Sequence, residues 1–262
     1  MPILGLQNSV SGSAPYSKFD RWSLDFDGTD DYIDLGDNKS FIAAGNFSIA
    51  FWVKLNDGQE SGTRYFMGAD KGDSTNEFYI GYTSGGKLQF RLEGNNDTAT
   101  AASDNVIFAN GANPWIHIVG TWEIGASTGG DMKFYVNGEH EFTYAMAGIT
   151  KSNWNAYDPA ENFYVGAENI GGTNQGEVGG RMSDLAMYDT VLTAGQITTI
   201  YNGRAPYNHK TGVASANLFG WWRMGDGVEN ATGTTIYYAS TNSNNGTMTN
   251  IDASDFVEDT PE

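Results

Sequence analysis

A retaining glycosidase needs two carboxylates about 5.5 Å apart, and this chain offers such pairs only in isolation. Asp25 with Asp27 and Glu139 with Glu141 are spaced i, i+2, so each pair shares a face if its segment is a strand. The three histidines, His117, His140 and His209, are scattered, and His117 reads as structural within a strand. Serine hydrolysis needs a Gly-x-Ser-x-Gly elbow, which Gly12-Ser-Ala does not supply, and no glycine-rich phosphate loop separates a strand from a helix. With no cysteine in the chain, thiol nucleophiles, disulfide frameworks and cysteine zinc sites are all excluded. These readings point away from an enzyme.

Binding is better served. Calcium takes six to eight oxygens from carboxylates, asparagine side chains and backbone carbonyls, and the acidic, glycine-rich loops Asp70 to Glu77 and Gly166 to Gln175 hold all three, although solvated polar turns are the plainer reading. Asp27, Asp30 and Asp31 form a third cluster, best read as turn and cap hydrogen bonding. Sugars are held by exposed aromatic rings beside Asn and Asp. Tyr82, Trp154, Tyr157 and Tyr207 lie in or beside polar loops, with Trp154 and Tyr157 foremost, next to Asn153 and Asp158. Trp52, Trp115, Trp122, Trp221 and Trp222 lie in strand-like runs and read as core.

The elements that must position these groups are mainly strands. Phe47 to Leu55 mixes alternation with a solid apolar centre, while Glu77 to Tyr82, Lys87 to Leu92 and Asp131 to Val136 alternate cleanly. Asn137-Gly138 supplies the two positive φ angles of a type I′ turn, which predicts a hairpin over 131–144. Strands recurring about every ten residues imply an all-β sandwich or jelly roll. One short helix stands out, opened by a capping box at Thr193 and Gln196, faced by Ile197, Ile200 and Tyr201, and ended by Asn202-Gly203. Residues 218–224 return to strand-like apolar density after the polar segment 203–216.

Composition bounds the partners. Against 32 acidic residues stand 14 basic ones, a formal net charge of −18, so a phosphate-neutralising face is excluded and an anionic membrane disfavoured. No stretch reaches the ~20 apolar residues of a membrane span, and the first ten residues lack the basic leader of a signal peptide. The chain reads as soluble.

Four segments in order, Ser23 to Leu35 with its Phe26-Asp-Gly28, Phe47 to Lys54, Trp115 to Trp122 leading to the Phe134-Tyr-Val-Asn-Gly138 hairpin, and Gly180 to Thr193, resemble the laminin-G-like family of the concanavalin A-like lectin and glucanase superfamily. The resemblance implies an antiparallel two-sheet jelly roll over residues 21–205, preceded by an N-terminal arm at 1–20. Residues 206–262 resemble the family's opening strands displaced to the end of the chain, completing the sandwich in circularly permuted order or pairing with a neighbouring subunit. Catalytic relatives carry Glu-x-Asp-x-Glu on one strand, and no such run is present here.

In the calcium-dependent pentraxin branch, two loops like those above meet at the metal, which implies Asp70, Asp73, Asn76, Glu77, Glu168 and Asn169 as ligands of Ca2+, although Ile170 stands where that branch has a further acid. The function implied is a non-enzymatic binding or structural module exposed on a phage virion as a decoration, fibre or tail component. Its partners would be other virion or capsid proteins, cell-surface glycans and copies of itself, without nucleic acid or membrane insertion. A free, extracellular calcium-dependent lectin and a glycoside hydrolase with an atypical acid pair are the alternatives.

Overall fold

The computed structural model describes residues 22–72, 76–94, 97–125, 129–147, 161–224, 231–232, 234–237, 239 and 245–261. Within them, two antiparallel sheets face each other across one aromatic core.

The smaller sheet runs β10 (Glu139–Ala145), β9 (Asp131–Val136), β8 (Ile116–Glu123), β3 (Asn46–Leu55), β14 (Gly179–Tyr188), β1 (Ser23–Asp27) and β19 (Phe256–Val257), with β15 (Leu218–Trp222) also pairing with β14. The larger runs β16 (Ala231–Thr232), β17 (Thr235–Ile236), β18 (Gly246–Thr249), β2 (Tyr32–Asp34), β11 (Tyr164–Val165), β4 (Arg64–Asp70), β5 (Asn76–Tyr82), β6 (Leu88–Gly94) and β7 (Asp97–Ala102). A small hairpin, β12 (Glu168–Ile170) with β13 (Thr173–Gln175), lies against β4, β12 running parallel to it. Two α-helices, α1 (Lys39–Ala43) and α2 (Ala194–Tyr201), and two short 3-10 helices at Asn202–Arg204 and Ser215–Asn217 complete the described elements.

Strand alternation explains the layers. Ile49, Phe51, Val53 and Leu55 of β3, Phe78, Ile80 and Tyr82 of β5, and Phe90 and Leu92 of β6 all join the main core. At its centre Phe47 stacks on Trp122 with ring centroids 4.6 Å apart, and Phe90 stacks on Phe134 at 3.6 Å. The opposite face of β3 is also apolar because a second core covers it. There Ala50, Val119, Ala186, Tyr188 and Trp221 pack against Ile197 and Ile200 of α2. This accounts for the solid apolar centre of 47–55.

Local signals are realised as the residues dictate. Asn137 and Gly138 both have positive φ, 52° and 80°, and join β9 to β10. The Thr193 hydroxyl accepts from the Gln196 amide at 3.3 Å while the Gln196 carboxamide accepts from the Thr193 amide at 2.8 Å. Asn202, in the left-handed region, ends the helix.

The final segment serves both sheets. β15 pairs with β14 beside the stretch that β1 occupies, β18 pairs with β2, and β19 pairs with β1. Asp259 then binds the smaller sheet from outside. Its carboxylate accepts from Lys54 Nζ at 2.7 Å, from Trp115 Nε1 at 3.1 Å and from Arg181, and its carbonyl accepts from Ser23 Oγ at 2.6 Å.

Candidate functional site

Core residues of β4, β5 and β6 point inward, so their alternates share the outer face of the larger sheet. Register puts Asp70 opposite Glu77, Glu77 opposite Glu93, and Tyr79 opposite Arg91. Two strands further along, Tyr164 lies opposite Asp34 and stacks on Tyr32, with centroids 4.2 Å apart and planes inclined by 19°. Asn162 Nδ2 donates to Asp34 Oδ2 at 3.0 Å beside that pair. Tyr65 meets Tyr79 edge to face at 4.8 Å. Tyr32 and Tyr65 are half-buried, whereas Tyr79 and Tyr164 are nearly covered. One face thus carries four tyrosines interleaved with carboxylates, asparagine and one arginine.

Its electrostatics are strongly anionic. Arg91 bridges Glu77 and Glu93, with Nε 2.5 Å from Glu77 Oε2 and Nη2 2.5 Å from Glu93 Oε2. Burial would weaken the Arg91 proton, but those carboxylates outweigh it and raise its pKa above the ordinary value. Burial, helped by Asp70 and Glu93 and opposed by Arg91, pushes Glu77 up to about 7. Glu168 is raised well above the usual carboxylate range, first by burial and then by Glu77 and Asp70. Neither Glu168 oxygen has a hydrogen-bond partner of proper geometry, although the Tyr65 hydroxyl lies close enough to temper the shift. Gly68 makes room for this side chain, since a Cβ there would stand 3.0 Å from Glu168 Cγ and 2.9 Å from Tyr79 Cβ.

The residues named for calcium distribute differently. Asp73 lies outside the described residues. Glu77 is committed to Arg91, Asp70 Oδ1 accepts from the Gly72 amide at 2.8 Å, and Asn169 braces its own loop, accepting from the Gly172 amide at 2.9 Å and donating to the Asn162 carbonyl at 3.1 Å. Asn76 is buried at the start of β5. Among the described residues, the one group of three acids with ligand atoms within 4.8 Å of one another is Asp27, Asp30 and Asp31. That group is a turn: Asp27 Oδ1 accepts from the Thr29 and Asp30 amides at 2.7 and 3.3 Å, and Asp31 Oδ2 accepts from the Asp27 amide at 2.8 Å. Of the described residues named for calcium, only Glu168 keeps both oxygens without a hydrogen-bond partner of proper geometry, and the Arg91 guanidinium seated between Glu77 and Glu93 sets a fixed positive charge beside the place a cation would take.

Of the aromatics named for sugar, Trp154 and Tyr157, with Asn153 and Asp158, lie outside the described residues. Tyr82 is corrected outright: it faces the core with no exposed surface, its hydroxyl donating to the Asp57 carbonyl at 3.2 Å. Tyr207 is pinned over the second core, its hydroxyl accepting from the Val213 amide at 2.7 Å. Four of the five tryptophans read as core are buried, but Trp115 is half-buried and tied to Asp259. Tyr32, Tyr65, Tyr79 and Tyr164 were missed because each sits inside a strand, and only cross-strand register shows that they share a face. Alternation within β5 would have placed Tyr79 outward.

The acid pairs separate as well. Asp25 faces Arg181 at 3.2 Å, while Asp27 turns into its loop. A register shift between His140 and Phe142 breaks the alternation that would align Glu139 with Glu141, and Glu141 accepts from Asn105 at 2.6 Å.

His117 is wholly buried between Trp52 and Tyr201, and burial depresses its pKa to about 3. Next to it, Asp184 accepts from Trp221 Nε1 at 2.5 Å, from His209 Nε2 at 3.1 Å and from the Tyr207 amide at 3.2 Å, while His209 Nδ1 meets the Tyr188 hydroxyl. This network fixes the chain after α2 onto the smaller sheet.

A family model for a laminin-G domain, of the concanavalin A-like lectin/glucanases superfamily, matches residues 27–198. The chain belongs to that superfamily. Among solved structures, this concanavalin A-like fold is similar to a protein described as carbohydrate binding from Bacteroides ovatus, with TM-score 0.60 and 20% identity, covering 88% of this chain and 59% of that one. It is also similar to the CBM40 of the Ruminococcus gnavus IT-sialidase, solved with alpha2,3 sialyllactose bound, with TM-score 0.54 and 16% identity over 68% of this chain and 96% of that one. The NanB sialidase of Streptococcus pneumoniae gives TM-score 0.53 and 13% identity over 68% of this chain and 27% of that one. At these identities the likeness is one of fold. No curated protein matches the chain. None of the helices among the described residues is long and apolar enough to cross a membrane.

Proposed function

We propose that this concanavalin A-like domain is a non-catalytic carbohydrate-binding module whose recognition surface is the outer face of its larger sheet. The observation that carries the reading is the Tyr32–Tyr164 stack beside Asp34 and Asn162. Aromatic planes take the apolar faces of sugar rings, and the adjoining carboxylate and amide take their hydroxyls. Structural neighbours described as carbohydrate binding support it. The absence of catalysis is supported by the acid pairs, which are spent on Arg181, a turn and a bulged edge strand. A glycan array probed with the full chain tests the reading. Binding should fall at least about tenfold, or ~1.4 kcal/mol, in Tyr32→Ala, and an array without a single bound saccharide overturns it.

The finer reading places the module on a virion as a decoration, fibre or tail component. It is supported by the resemblance of the four ordered segments to laminin-G-like chains of that kind, and by a charge of −18 that keeps an outer surface from binding nucleic acid. Immunogold labelling of purified phage particles with an antibody to this chain should decorate the capsid or tail. Unlabelled particles would remove the virion role and leave the glycan-binding one standing.

A further inference from the structure

Glu168 is the least compensated group on the outer face. Its side chain lies over Gly68, wholly shielded from solvent, and neither of its oxygens has a hydrogen-bond partner of proper geometry, the Tyr65 hydroxyl being the nearest donor. Asp70 and Glu77 pair across the adjoining strands, with Glu93 beyond Glu77. Arg91 sits among these four carboxylates with its guanidinium already shared by Glu77 and Glu93. Among the described residues, Glu168 has no ion-pair partner. Burial holds Glu168 protonated in the free chain, and a cationic ligand that draws the proton off would supply the partner the fold withholds. The half-buried residues Asp70, Tyr65 and Arg91 border the cluster on its solvent side.

The chemistry required of the occupant follows. Glu168 in its ionised form only accepts, so the complement must donate and carry positive charge. An ammonium does both, with three donors and no acceptor, and the Tyr65 and Tyr79 rings flank it with further favourable electrostatics. A carboxylate-bearing sugar would add a fifth negative group to one shared arginine. An N-acetylated amine has one N–H and no charge, so it cannot draw the proton off Glu168.

We propose that the cluster of Glu168, Asp70, Glu77, Tyr65 and Tyr79 binds the protonated amine of an amino sugar, so that the module selects free-amine glycans over acidic and N-acetylated ones. The proposal rests on the carbohydrate-binding reading and deepens it.

Calorimetric titration of the full chain at neutral pH compares a glucosamine oligomer, its N-acetylated counterpart and 3′-sialyllactose, each with and without calcium. The glucosamine oligomer should bind at least about tenfold more tightly than either of the others, without need of calcium. Glu168→Gln, which keeps the shape and removes the charge, should abolish that preference while leaving the weaker N-acetylated binding and the thermal midpoint no lower than in the parent. Tyr32→Ala should weaken all ligands alike. Equal or tighter binding of the sialylated or N-acetylated sugar, a Glu168→Gln variant that keeps the preference, or a strict calcium requirement overturns the amine assignment alone. Failure of all three sugars to bind overturns it together with the reading beneath it.

Discussion

Glu168 fills the space above Gly68, its Cγ 3.0 Å from where a glycine-to-alanine change would put a methyl group. The two residues are paired in register, β12 parallel to β4, although 100 positions separate them in the chain (168 − 68). Gly68→Ala should therefore push Glu168 and Tyr79 apart and cost about 1–3 kcal/mol by overpacking. Chemical denaturation checks it, and a midpoint unchanged from the parent would show that the two side chains are not held where they are described.

Glu77 makes stability fall with rising pH. Its carboxyl titrates near 4.5 in the unfolded chain and at about 7 when folded, so between those values the folded state holds the extra proton and loses its advantage as pH climbs. Asp31, raised to about 6 by burial against the opposing hydrogen bond from the Asp27 amide, acts with the same sign from 3.8 upward. Glu77→Gln should flatten the decline in thermal midpoint above about pH 5. A profile identical to the parent's would refute the assignment.

His117 acts in the opposite direction. It is neutral in the fold and titrates at about 3 there against 6.5 unfolded, so its contribution is present above 6.5 and lost as pH falls toward 3. His117→Phe preserves the stack with Trp52 and Tyr201 while removing the titration. Its midpoint should decline less than the parent's between those two pH values, as differential scanning calorimetry would record.

Asp184 is the acceptor for three donors from the strap beyond α2, namely Trp221 Nε1, His209 Nε2 and the Tyr207 amide. Asp184→Ala leaves all three donors without it, the Trp221 and His209 nitrogens in a buried setting, and should cost about 3 kcal/mol or more. Its φ of 56° is one that asparagine also tolerates, so Asp184→Asn should recover part of the loss. Near-UV circular dichroism from Trp221 reports whether the strap has come away.

Asp259 ties the last residues to Lys54, Arg181 and Trp115. The ion pairs are partly exposed, so solvent screens them. Asp259→Ala should cost only about 1–2 kcal/mol, with hydrogen exchange accelerating at Ser23 and Leu24, whose partners in β19 are Val257 and Phe256. Protection unchanged at those amides would mean that the clamp does not hold the strand.

Much of this was legible in the residues. Period-two alternation at 77–82 and 131–136, the Asn137-Gly138 turn and the Thr193–Gln196 capping box act over a few neighbouring positions, where sequence and conformation are directly linked. The core rings Phe47, Phe51 and Phe78 follow from the same periodicity. Loop polarity was a poorer guide to the binding face, as the buried Tyr82 and the pinned Tyr207 show.

The sequence alone determined an all-β sandwich, because turns, caps and strand faces depend on local sterics and on which side of a strand is apolar. It also determined the anionic, cysteine-free character of the chain. Tertiary structure alone decided which acids share a surface. Asp70, Glu77 and Glu93 meet through the register of the successive strands β4, β5 and β6, Glu168 joins them only through the distant β12, and whether each finds Arg91, a loop amide or no partner depends on distances of a few ångströms across that sheet. Those distances are set by register and packing of the whole sandwich, and no window of sequence contains them.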